Sequence, residues 1–178
     1  MRPLHAVLAA AGVLILVFFL VGSFLPDEWT REYRSEICAP PMTVFEAVND
    51  PEALLAWSVF GEQEAEATVR GGPGTGARIE WSPDDPEEAG GGRLIIADSR
   101  PGERVDYRMM AGDRQIARAW IELAPGNDTR TITTLSVRPG VETIGGRWVG
   151  LLSRMQRDVL GLAEEEMGRL TEYVDGAC

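Results

Sequence analysis

The sequence predicts an α+β domain, a curved antiparallel sheet wrapped around one long C-terminal helix, preceded by one transmembrane helix. Three observations predict it. Six short runs of alternating polarity follow one another with only turn-length links, too short for crossover helices. The segment from about Trp148 to Val174 repeats Leu152, Met155, Val159, Leu162, Ala163, Met167, Leu170 and Val174 at three- and four-residue steps, as the apolar stripe of a helix does. Residues 4–25 contain no charged side chain other than a titratable His5.

The N-terminal run would form a helix of roughly 33 Å, enough to cross a hydrocarbon core of about 30 Å. It is expected to be a retained single-pass anchor, with a secretory signal cleaved near Val21-Gly22-Ser23 as the alternative. Arg2 ahead of the run favours an inside N-terminus and an extracytoplasmic domain, although Arg31 and Arg34 weaken the asymmetry. Residues 1–25 are thus the anchor or uncleaved signal, 26–29 a juxtamembrane linker, and 30–175 the folded domain.

Within that domain, Thr30–Cys38 alternates as a half-buried strand and stops at Ala39-Pro40-Pro41. Met42–Val48 places Val44, Phe45 and Val48 on one side of a short helix. Asp50 before Pro51 reads as an N-cap with proline at the first position of a second helix, Pro51–Trp57. The six strands are expected at Glu64–Arg70, Ala77–Ser82, Arg93–Asp98, Arg104–Met110, Gln115–Leu123 and Thr129–Val137. Their alternation separates a charged face from an apolar one. Val105, Tyr107 and Met109 oppose Arg104, Asp106 and Arg108; Ala117, Ala119, Ile121 and Leu123 oppose Arg118, Trp120 and Glu122. The apolar face needs a cover, and the C-terminal helix is the available one. The glycine-rich 71–76 stretch precedes a strand, so it reads as a hairpin turn and not as a phosphate cradle.

Composition removes several functions. The net charge is −11, which disfavours nucleic acid as a partner. There is no lysine, and the one histidine is His5. A Ser-His-Asp relay, a lysine Schiff base, a His-ligated zinc site and a P-loop are therefore all excluded from the folded domain. No catalytic residue, metal ligand or cofactor is assigned. Glu80, Asp106 and Glu122 fall on the solvated face, and Glu164-Glu165-Glu166 reads as the solvated side of the final helix. Cys38 and Cys178 are either a pair or two free thiols.

The ordered set Ile37-Cys38-Ala39-Pro40-Pro41, Val44-Phe45, Asn49-Asp50-Pro51 and Trp57-Ser58 resembles the Bet v 1/START-like superfamily, often called SRPBCC, and within it the polyketide cyclase/dehydrase-like group. Gly74-Thr75-Gly76, Leu123-Ala124-Pro125 and the glycines at 145, 146 and 150 support the likeness. Where such proteins often continue Trp-Ser-Pro-Trp, this chain has Trp57-Ser58-Val59-Phe60, so the rim there differs. The resemblance implies a helix-grip fold in the order β-αα-β6-α, with a hydrophobic hollow between sheet and helix. Its implied lining is Trp57, Phe60, Trp81, Tyr107, Met109, Ile121, Leu152, Met155 and Val159. The expected function is binding of a hydrophobic small molecule (a lipid, quinone or polyketide-like compound) beside the membrane, without catalysis. One alternative is a cyclase/dehydrase-type enzyme moving protons through Tyr107 or a water. Another is a protein-interaction module using an outer patch around Trp120. Pro139–Arg147 is the expected portal loop.

Overall fold

The computed structural model describes residues 2–25, 30–59, 67–81, 91–127, 129–140, 147–148 and 155–174, excluding the side chains of 2–4, 6–10, 127 and 155–159. Its elements in order are α1 (Arg2–Phe24), β1 (Arg31–Ile37), α2 (Pro41–Asn49), α3 (Pro51–Trp57), β2 (Thr68–Arg70), β3 (Arg78–Trp81), β4 (Gly92–Arg100), β5 (Arg104–Ala111), β6 (Arg114–Asn127), β7 (Arg130–Pro139) and α4 (Met155–Val174).

Local chemistry sets the early boundaries. β1 ends before Pro40-Pro41, which cannot extend a ladder; Pro41 instead opens α2, where its missing N–H costs nothing. Asp50 caps α3, its Oδ1 accepting from the Glu52 N–H at 2.9 Å. All seven strands join one antiparallel sheet in the order β1-β7-β6-β5-β4-β3-β2, so the first strand closes against the last.

The register carries the expected alternation across the sheet. Tyr33 pairs Leu135, Leu135 pairs Ile121 and Ile121 pairs Val105, one row on the covered face. The core comprises Ile79, Leu94, Ile96, Val105, Tyr107, Ile121, Leu123 and Leu135 from the sheet, Val44, Val48, Leu54 and Trp57 from α2 and α3, and Ala163, Met167 and Leu170 from α4. α4 packs on β1, β7, α2 and α3, gripping the closed end of the sheet. On the opposite face Arg104 bonds Asp106 and Glu122, and Arg78 bonds Glu80 at 2.6 Å. Gly92 sits beneath the Trp81 indole, where an added Cβ would overlap the ring.

The glycine-rich segment is the expected β2–β3 turn. Gly71, Gly74 and Gly76 take positive φ there, a conformation that suits glycine, and the Gly74 N–H reaches the Asn49 carbonyl at 3.0 Å.

Four expectations are corrected. α1 is helical where an anchor was expected, but among the described residues no helix is long and apolar enough to cross a membrane. The transmembrane assignment is therefore unsupported. α4 is described from Met155; Arg147 and Trp148 are also helical, and 149–154 lie outside the described residues. β2 is described only from Thr68, and 61–66 lie outside the described residues. Leu162, expected in the stripe, is 44% exposed, whereas Glu166, expected in solvent, is 8% exposed. The reason is angular: at about 100° per residue Leu162 lies 100° from Ala163, and Glu166 only about 60° from it on the same side.

Candidate functional site

The covered face of the sheet has two zones. Near α2 and α3 it is closed: Trp57 is buried and donates its indole N–H to the Ala47 carbonyl at 3.0 Å. Tyr107 is buried too, its hydroxyl donating to the Val48 carbonyl. These two bonds satisfy carbonyls in the last turn of α2 and tie that helix to α3 and β5. Toward the other end the same face opens. Trp81, Met109, Ala119 and Val137 point inward and pack on the core, yet remain half-buried. Ala117 and Ala119 are small, so β6 adds little bulk there.

At the closed end, near enough to Tyr107 for its charge to act on that hydroxyl, stands a carboxyl group. Glu166 of α4 accepts from the Val59 N–H through Oε1 at 3.0 Å, while Oε2 is buried with no hydrogen-bond partner. Burial pushes this carboxyl up to about 7, against the opposing pull of the Val59 N–H and Arg169. The neighbouring Ser58 is 3% exposed, and its Oγ is likewise buried without a partner. Burial raises Tyr107 above the usual phenol range, and the Glu166 and Asp106 charges raise it further.

The expected lining is thus only partly assembled. Trp57, Tyr107 and Ile121 are core residues, whereas Trp81 and Met109 reach the open zone. Phe60 and Leu152 lie outside the described residues; Met155 and Val159 belong to α4, with side chains not described. Tyr107 is poorly suited to moving protons, since its hydroxyl is committed to Val48 and its ionisation is suppressed. Trp120 is not a bare patch: Arg104 and Arg138 stack over its ring at 5.1 and 5.6 Å from the centroid. Of the portal segment, 141–146 lie outside the described residues, but Arg147 and Trp148 dock on α1. Arg147 donates to the Ser23 and Leu25 carbonyls, and Trp148 stacks on Phe18 with centroids 5.3 Å apart. Cys38 is disulfide-bonded, and the other cysteine, Cys178, lies outside the described residues. Among the described residues no cluster of His, Cys, Asp and Glu could hold a metal ion.

Sequence reasoning missed Glu166 and Ser58. A signal was present: Glu166 lies three residues after Ala163 and four before Leu170, an acid within an apolar stripe.

A curved antiparallel sheet with two short helices at one end and a long helix across its concave face defines a helix-grip domain. Solved structures share it. Norcoclaurine synthase from Thalictrum flavum, in complex with dopamine and hydroxybenzaldehyde, aligns at TM-score 0.59 and 12% identity, over 83% of this chain and 86% of that one. Ara h 8.0201 aligns at TM-score 0.60 and 17% identity, over 83% and 97%. A Thermobifida fusca protein aligns at 0.55 and 23% identity, over 82% and 92%. No curated protein matches in sequence. Residues 38–147 match the family model of Activator of Hsp90 ATPase homolog 1-like protein, and the chain belongs to that family. The expected superfamily stands; the polyketide cyclase/dehydrase-like group is not the family that matches.

Proposed function

We propose that the domain binds a hydrophobic small molecule on the open part of its concave face, beside a membrane to which α1 attaches it. The observation that carries the binding reading is the inward yet half-exposed set Trp81, Met109, Ala119 and Val137. Apolar groups on a concave face that the protein itself leaves partly wet gain roughly 25 cal/mol per Å² when a ligand covers them. An apolar fluorophore such as N-phenyl-1-naphthylamine tests it. The full chain should bind the dye, and Ala119→Phe, which fills the open zone, should weaken binding at least tenfold. Equal binding by both proteins would end this reading.

The attachment reading rests on α1. Its residues 11–20 are all exposed and carry no charge, with Leu14 at 70% and Leu16 at 68% exposed. An apolar surface of that extent calls for a partner, and a lipid bilayer fits its uniform character. The Arg147 and Trp148 contacts to α1 would then hold the segment before α4 close to the bilayer. The Cys38 disulfide favours an oxidising compartment and hence an extracytoplasmic domain. Co-sedimentation with phospholipid vesicles, lost on deleting residues 1–25, is the expected result; recovery in the supernatant would count against it.

A catalytic reading has one foothold, the buried Glu166, whose carboxyl titrates near neutrality. The fold is shared with a synthase, and fold alone does not carry its activity.

A further inference from the structure

The register lines up five arginines across the outer face of the sheet. Arg70 pairs Arg78, Arg78 pairs Ile95, Ile95 pairs Arg108, Arg108 pairs Arg118 and Arg118 pairs Arg138, one row over six strands from β2 to β7. Directly paired residues of an antiparallel sheet share a face, and Arg108 and Arg118 alternate with the buried Tyr107 and the inward Ala119, so this face is the convex one. At about 4.8 Å per strand the row is about 24 Å long. It stands out on a chain whose net charge is −11. Like charges set opposite each other on neighbouring strands weaken a sheet, so the row does not serve the fold.

The two ends of the row are answered from within the domain. Glu80 pairs with Arg78 at 2.6 Å and with Arg70 at 3.5 Å, while Arg138 lies over the Trp120 ring and donates through Nε to Thr30 Oγ1 at 3.3 Å. The middle is not. Arg108 and Arg118 are both exposed, and among the described residues no carboxylate pairs with either. The next row on one side is Asp98, Asp106, Trp120, Ser136 and Glu32, in which Asp98 is bonded to Arg100 and Asp106 to Arg104. These carboxylates bound the cationic row on that side and keep it narrow.

A narrow strip on a convex surface selects its partner by shape. A flat anionic bilayer would touch a convex face over a short patch only, and would meet Asp98, Asp106 and Glu32 there as well. A single-stranded nucleic acid needs open aromatic faces for its bases, and Trp120 beside the row is covered by Arg104 and Arg138. An extended acidic peptide is linear, and about seven residues at roughly 3.4 Å each span the row. Its carboxylates are the acceptors that guanidinium groups hold in paired hydrogen bonds. We propose that the arginine row is a docking strip for an extended acidic segment of a partner protein, held chiefly by Arg108 and Arg118 at its centre. The strip lies on the opposite face from the concave site and does not depend on the small-molecule reading.

Fluorescence anisotropy with fluorescein-labelled octaglutamate, octaglutamine and an eight-nucleotide oligothymidylate tests it, using the full chain in nonionic detergent at low salt against detergent blanks. The wild type should bind octaglutamate at least tenfold tighter than octaglutamine, and added salt should erase the difference. Arg108→Gln with Arg118→Gln should weaken octaglutamate at least tenfold, and either substitution alone about threefold. Removing two facing like charges should leave the unfolding midpoint at or above that of the wild type, which separates lost binding from lost folding. Arg34→Gln with Arg114→Gln changes the net charge equally at two exposed positions outside the row, and should leave octaglutamate binding within twofold of wild type. Equal binding of octaglutamate and octaglutamine, or equal weakening by the two double variants, overturns the docking strip. Oligothymidylate bound tighter than octaglutamate overturns the peptide as its occupant.

Discussion

Replacing Glu166 with glutamine should change how stability depends on pH in a calculable way. The carboxyl is raised from 4.5 to about 7 in the folded protein, chiefly by burial. A raised acid holds its proton in the folded state over a range where the unfolded chain releases it. Between about pH 4.5 and 7 the unfolded state therefore binds fewer protons, and stability falls as pH rises. A shift of this size corresponds to about 3 kcal/mol, absent below pH 4.5 and complete above about pH 7.5. Glutamine does not titrate. It keeps an oxygen for the Val59 N–H but buries an amide that needs a partner, a constant offset of about 1–3 kcal/mol. The offset does not depend on pH, so the diagnostic is the difference between variant and wild type. Urea unfolding followed by tryptophan fluorescence from pH 4 to 8.5 should show Glu166→Gln gaining about 3 kcal/mol relative to wild type across that range. A difference that stays flat would mean the carboxyl is not held in the interior.

Three further outcomes test the packing around the site. Leu170→Ala removes a fully buried side chain from the α4 seam and should cost about 2–5 kcal/mol in chemical denaturation. Tyr107→Phe leaves the Val48 carbonyl without its donor and should destabilise by about 1–3 kcal/mol; any ligand-dependent turnover should survive, since Tyr107 is a clamp and not an acid. Gly92→Ala forces the Trp81 ring to move and should both lower the melting temperature and alter tryptophan emission, whereas Gly72→Ala, with open space around its Cβ and no positive φ, should leave the emission unchanged.

Much of the fold was legible because its signals are local. Prolines 40, 41 and 51 and the Asp50 cap bound α2 and α3, and α3 falls where the sequence places it. Period-two alternation assigned Val105, Tyr107, Ile121 and Leu123 to the covered face, since a strand cannot turn one residue inward without turning its neighbours out. The same reasoning oriented Trp120 outward. It could not show that Arg104 and Arg138 lie over the ring, because they reach it from adjacent strands β5 and β7 and only register brings them together.

The site resisted the sequence for a different reason. An acidic run on a helix usually points to water, and two of its three members do. What distinguishes Glu166 is tertiary: the α3 exit, over a hundred residues earlier, places the Val59 N–H against it. The hydrophobic stripe should have raised the suspicion, because an evenly spaced helix face that buries Ala163, Met167 and Leu170 must carry residue 166 into the same interface. A glutamate kept in such a place works against folding. If stability alone shaped this face, an apolar residue would serve better, as replacements of buried ion pairs elsewhere illustrate. Part of that cost is offset by the Val59 N–H, which holds one carboxyl oxygen in the seam between α4 and the end of α3.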